Sequence, residues 1–263
     1  MKDFIAKILI PTANGESLKP YGVFHCIWLA LTIAGMVAAV YFTLKKEKKT
    51  LYFLYVLSSI LMWTGEIYKQ FTSAFETGVF NYQWYDFPFQ FCSTPLYTFL
   101  FCAIAKKGKA YDAVSVYNGT YALFAGTMVM IYPSTLVANF GISTQSLLHH
   151  ALMMVTGVSA LVEYGKKMSI KLFLQGMLVY VILFAIAIVL NFALPAITGQ
   201  NVNMYFVSKT YPVDGIPSNP FKVFQQAYPY PLFLLVYSLI FTEVACLMAY
   251  LSHVAASKKT QRA

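Results

Sequence analysis

A thiol, three imidazoles, a carboxylate and an amide lie within otherwise apolar stretches of this chain: Cys92, His25, His149, His150, Glu66 and Gln90. Together these types can perform acyl chemistry. A thiolate attacks an ester carbonyl, an imidazole takes the proton and returns it, and an amide steadies the oxyanion. Cys92, one of the two adjacent histidines and Gln90 fit those roles in that order, with Glu66 or His25 able to orient the base. Each also has a structural reading. Glu66 has Lys69 at i+3 and Trp63 at i−3, the spacing of an ion pair beneath an aromatic anchor. Cys92 has Cys26 at matching depth as a disulfide partner, and His25 near a helix end can be solvated. His149 and His150 point about 100° apart on a helix, so one is expected to face the site and the other to turn away.

The same groups fail as a metal centre. Three or four ligands must converge on an ion, and the chain carries no His-Glu-x-x-His or Cys-x-x-Cys spacing. A nucleophile elbow, a P-loop and a dinucleotide fingerprint are also absent, so the sequence calls for neither a metal nor a cofactor. Glu243, near the middle of the last apolar run, is expected to be a core hydrogen-bonding group. Asp112, at the start of the fourth, fits a helix-dipole partner.

The elements that hold these groups are membrane spans. At 59% hydrophobic, 17% aromatic and 11% charged residues, with mean hydropathy +0.60, the 263-residue chain has too little polar surface for a soluble globule. Seven apolar runs, near 22–44, 51–71, 89–105, 110–132, 145–164, 170–194 and 230–253, predict an all-α, polytopic seven-helix bundle forming a single transmembrane domain. Residues 1–21 read as an outer interfacial segment, ended by Pro11. Residues 195–229, rich in tyrosine and proline, read as a long outer loop. No lysine lies in the last run, so a retinal Schiff base is excluded.

The net charge of +9 marks topology, not nucleic acid. Arg262 is the lone arginine, and most basic residues cluster at Lys45–Lys49, Lys106–Lys109 and Lys166–Lys171 and in the tail at Lys258, Lys259 and Arg262. The positive-inside rule then sets the N-terminus outside and the C-terminus inside, in a multi-pass protein of the cell membrane. In that frame His25, Glu66, Gln90, Cys92 and the His149–His150 pair all lie within roughly 8 Å of the outer interface, at 1.5 Å of rise per residue. Four helices thus carry polar groups to one level, as a pocket opening outward would require.

The run Phe87-Pro88-Phe89-Gln90-Phe91-Cys92-Ser93 resembles the Leu-Pro-Leu-His-Leu-Cys signature of the bacterial YwaF integral membrane proteins. Phe24-His25, Glu66-Ile67-Tyr68, His150 and Asn203-Met204-Tyr205 ahead of a proline-rich loop follow in the corresponding order. That family is similar to the animal transmembrane protein 164 group, glycerophospholipid acyltransferases that use a cysteine and a histidine. The resemblance implies an acyl-lipid partner, with Cys92 and His150 catalytic and His25, Glu66, Gln90, Asn203 and Tyr205 in support. His150 matches the group's histidine. The animal cysteine and the histidine after it fall on Phe89 and Gln90, and Cys92 matches the bacterial cysteine three residues on. Either Cys92 has taken over as nucleophile or inherited catalysis is lost, because glutamine donates a hydrogen bond but takes no proton at neutral pH. A small-solute transporter and a non-catalytic lipid-binding protein are the competing readings. The transporter is disfavoured by the lack of an inverted repeat with broken helices in matching halves.

Overall fold

A computed structural model describes residues 18–45, 49–75, 79–133, 140–209 and 225–261. They fold into an all-α membrane bundle with no strand among the described residues. Its helices are α1 (Val23–Leu44), α2 (Thr50–Ala74), α3 (Pro95–Ala105), α4 (Lys109–Ile131), α5 (Phe140–Tyr164), α6 (Ile170–Thr198) and α7 (Tyr230–Gln261). All except α3 are long and apolar enough to cross a membrane. The shorter α3 is extended at its start by a 3₁₀ turn at Phe91–Ser93.

Several bounds differ from the hydropathy reading for local reasons. α6 runs on through Pro195, which sits in the last turn, where a missing N–H costs little more than one hydrogen bond. α5 begins at Phe140 and α7 reaches Gln261, because polar residues at an interface lower hydropathy without breaking a helix. Most of the expected interfacial segment, residues 1–17, and the part of the long loop at 210–224 lie outside the described residues.

Helix α5 is the hub, packed against α1, α2 and α4. Lipid tails are as apolar as leucine, so close approach between spans depends on small residues rather than on hydrophobic burial. Here α4 carries a π-turn at Asn118–Ala122 that presses Gly119 onto the α5 backbone. A Cβ added at Gly119 would sit 2.8 Å from the Leu161 amide nitrogen, and one at Gly157 would sit 2.9 Å from the Asn118 carbonyl oxygen. The two helices therefore touch backbone to backbone. Within its apolar window α4 is 67% buried, against 17% for α1, so α1 is a peripheral helix with a broad lipid face.

An aromatic column runs down the other side of the core. Tyr117, Tyr121, Tyr180, Phe184 and Tyr237 stack in sequence, with ring centroids 4.5–5.8 Å apart. Phe91 joins it through Phe241 at 4.9 Å and Tyr205 at 5.1 Å, which seats the turn carrying Cys92 on a rigid aromatic base.

Candidate functional site around Cys92

Pro95 shapes the Cys92 turn. It opens α3 and has no N–H, so the Phe91 carbonyl loses its α-helical donor and the Cys92 carbonyl its 3₁₀ donor. Side chains fill both places. The Thr94 hydroxyl donates to the Phe91 carbonyl at 2.8 Å and pairs with the Tyr117 hydroxyl at 2.6 Å. His149 Nε2 reaches the Cys92 carbonyl at 2.8 Å.

The histidine pair departs from expectation. His149 does not turn away: it is 5% exposed and His150 is 4% exposed. The reason is the position of α5, which has helices on several faces, so residues 100° apart both end inside the bundle. Their rings lie 5.3 Å apart. A carbonyl can only accept, so His149 carries its proton on Nε2, and Nδ1 is left buried with no partner. His150 is the opposite tautomer. Its Nδ1 donates to the Ser146 carbonyl at 2.6 Å, and Nε2 is buried and unpartnered.

Glu66 is ion-paired. Its Oε1 accepts from Lys69 Nζ at 2.9 Å and from Gln70 Nε2 at 2.7 Å, so among the described residues it orients neither histidine. Gln70 also donates to the Asp86 carbonyl at 2.6 Å, while the Asp86 carboxylate accepts from Ser73. Burial holds the Asp86 carboxyl above its ordinary value, and the neighbouring Glu66 charge pushes the same way against Ser73 and Lys69. Both Lys69 and Glu66 are within electrostatic range of Cys92.

His25 stands apart. Its Nδ1 accepts from the Tyr21 amide and its Nε2 donates to the Met130 carbonyl, both at 3.0 Å, so it ties the start of α1 to the end of α4 with both nitrogens in use. Gln90 points to the 202–208 segment, giving an N–H to the Asn203 carbonyl at 2.9 Å and leaving Oε1 buried without a partner. One N–H of the amide expected to serve an oxyanion is therefore already held by a structural contact. Glu243 lies on the outer face of α7, exposed and not in the core.

Asn203 and Tyr205 belong to an irregular segment pushed into the bundle, with Val202, Met204, Tyr205, Val207 and Ser208 fully buried. Irregular backbone survives at such depth only when protein groups satisfy it. Asn191 does most of this, accepting from the Met204 amide at 2.6 Å and donating to its carbonyl at 2.9 Å. Tyr237 and Tyr230 cap the Tyr205 and Val207 carbonyls at 2.7 and 2.9 Å. Tyr205 and Phe206 both take left-handed φ, 57° and 58°. Such strain costs about 1–3 kcal/mol per residue and persists where the surroundings over-determine it.

All four cysteines are free, so Cys26 and Cys92 are not bridged. Among the described residues no group of three or more His, Cys, Asp or Glu side chains could hold a metal ion. The sequence reading turned His149 away from the site and missed Thr94 and Asn191. Pro95 was the available signal for the first two, since a proline there leaves carbonyls that side chains must satisfy.

Fold and site together define a multi-pass α-helical membrane protein with a half-buried cysteine turn held against a buried histidine pair at one end of the bundle. Residues 20–249 match the TMEM164 family, and the chain belongs to it. Comparison with curated proteins and with solved structures finds no match.

Proposed function

We propose that this protein acts on acyl esters of membrane lipids, by transfer or hydrolysis, with Cys92 as nucleophile and His150 as general base. The observation that carries this reading is the histidine pair: one imidazole sits on the Cys92 carbonyl, and the next residue keeps a buried Nε2 lone pair with no protein partner. A base must arrive unprotonated and unoccupied, and His150 Nε2 meets both conditions.

In the first half-reaction the Cys92 thiol gives its proton to His150 Nε2 and the sulfur attacks the ester carbonyl carbon. The carbon–oxygen bond breaks, and the departing alcohol takes the proton from His150, leaving a thioester. In the second half, water or a lipid hydroxyl attacks that carbonyl and gives its proton to His150. The carbon–sulfur bond breaks and the thiol regains the proton. The Cys92 turn directly precedes α3, and an outward-facing end of that helix would bring it near the level of phospholipid ester bonds. Seven crossings with the N-terminus outside, in the cell membrane, would open it to the outer leaflet.

A non-catalytic lipid-binding role is the second reading. It is favoured by His25 and Glu66, whose hydrogen bonds go to structural partners and to neither histidine. Purified protein in vesicles containing phosphatidylcholine with a labelled acyl chain and a lysophospholipid acceptor separates the two. Enzyme action yields labelled acyl lipid or free fatty acid, lost in Cys92→Ser. Binding without turnover by the folded protein supports the second reading. Orientation is tested in intact cells, where single cysteines in the 106–109 loop should resist an impermeant thiol reagent and ready labelling would reverse the topology.

A further inference from the structure

We propose that His149 is a positioning residue that fixes the Cys92 turn through its backbone carbonyl; the proposal deepens the acyl-ester reading and rests on it. The turn has an unusual shortage of donors. Its backbone hydrogen bonds end on the Gln90 and Thr94 carbonyls, with Ser93 and Thr94 N–H groups on Gln90 and Tyr97 and Thr98 N–H groups on Thr94. None of these ends on Cys92, and Pro95 cannot supply one. The imidazole of His149, brought from α5, is the donor that the Cys92 carbonyl receives. A carbonyl withdrawn from water without a donor is unfavourable, and in this half-buried turn the contact holds both the carbonyl and the peptide plane that aims the thiol.

The two tautomers divide the work between adjacent residues. His149 spends its N–H on the nucleophile's own backbone, while His150 spends its N–H on the Ser146 carbonyl one turn back along α5 and keeps Nε2 for proton transfer. A base alone would need one histidine. The second is accounted for by the carbonyl that Pro95 leaves open.

The test replaces His149 with Gln, whose terminal N–H can occupy the place of Nε2, and with Met, which has similar length and no donor. His149→Ala is a third variant, and the Met variant keeps the comparison readable if Ala fails to fold. Two quantities are read on the full-length protein in vesicles: the rate at which N-ethylmaleimide modifies Cys92, followed by peptide mass, and kcat and KM for acyl transfer from phosphatidylcholine. Loss of the donor should raise Cys92 modification at least about threefold by loosening the turn. It should lower kcat about 10- to 100-fold with KM nearly unchanged, because misaimed attack affects the transition state more than binding. His149→Gln should restore both towards the parent values. Parent-like modification and kcat in His149→Met, or a Gln variant as impaired as Met, would overturn the positioning role. The modification arm needs no turnover. If no acyl transfer is found, it still decides the His149 proposal, and if transfer is found with flat modification rates, the positioning claim fails while the enzymatic reading stands.

Discussion

The two ends of the bundle handle buried polar groups in opposite ways. Around Cys102 every polar group among the described residues is matched. The Thr98 hydroxyl donates to Asn118 Oδ1 at 2.6 Å, and the Asn118 amide reaches Tyr55 and Cys102. Thr43 pairs with Ser159 and Ser58 with Thr156, both at 2.7 Å, and Tyr164 donates to Asp112 at 2.6 Å. Around Cys92, Gln70 Oε1, Gln90 Oε1, His149 Nδ1 and His150 Nε2 are all buried with no partner. Their donor atoms are on carbonyls or carboxylates, which fixes the vacant atoms as acceptors. A satisfied network fastens helices together, whereas buried acceptors left unspent are a standing cost that a stability role does not explain. The Cys102 end is structural, and the Cys92 end is where chemistry is expected.

The strongest way to break that contrast is at His150. His150→Ala should lower acyl transfer or hydrolysis at least about 100-fold, the usual scale of general-base help, with thermal stability nearly unchanged. An equal loss of melting temperature and activity would make the residue structural and erase the difference between the ends.

Asn191 tests the 202–208 segment. Asn191→Leu strips both hydrogen bonds from Met204 and leaves two buried backbone groups unmet, each costing about 1–3 kcal/mol. With the strain at Tyr205 and Phe206 no longer held, this segment should open to proteolysis before the helices melt. Limited digestion followed by mass mapping checks it.

Asn118→Leu is the matching probe at the other end. It removes the acceptor of the buried Thr98 hydroxyl and one partner of the Tyr55 hydroxyl, so a loss of about 1–3 kcal/mol in thermal or denaturant stability is expected. Modification of Cys92 by N-ethylmaleimide should stay at the parent rate. A changed rate would mean that the two ends are coupled through α4.

The smallest effect concerns pH. Because burial raises the Asp86 carboxyl above its ordinary 3.8, folding favours the neutral form. That stabilising contribution is fully present below 3.8 and is lost as pH rises through the folded value. Asp86→Asn should remove this dependence, so melting curves of parent and variant should diverge in the variant's favour as pH rises out of the acid range.

The sequence made the membrane bundle legible because hydropathy reports directly on the solvent each segment meets. Depth arithmetic expected His25, Glu66, Gln90, Cys92 and His150 at one level. It could not tell which would find partners. Lys69 at i+3 marked the Glu66 ion pair, but the Met130 carbonyl that occupies His25 comes from a helix 105 positions away. His149 was assigned to the wrong surroundings because the helical-wheel argument assumes one apolar face, and α5 is enclosed on several. Glu243 erred the other way: mid-span depth suggested the core, while its helix turns that face outward.

The central claim is that the vacant His150 Nε2 serves Cys92 in covalent acyl chemistry, and intact mass of the protein tests it most directly. After brief incubation with phosphatidylcholine vesicles and an acid quench, the parent should carry an added acyl mass, removed by neutral hydroxylamine and mapped to Cys92. The adduct should be absent from Cys92→Ser and strongly reduced in His150→Ala. A folded parent that shows no acyl adduct and releases no fatty acid or transferred product would contradict the account and leave the Cys92 end a lipid-binding site.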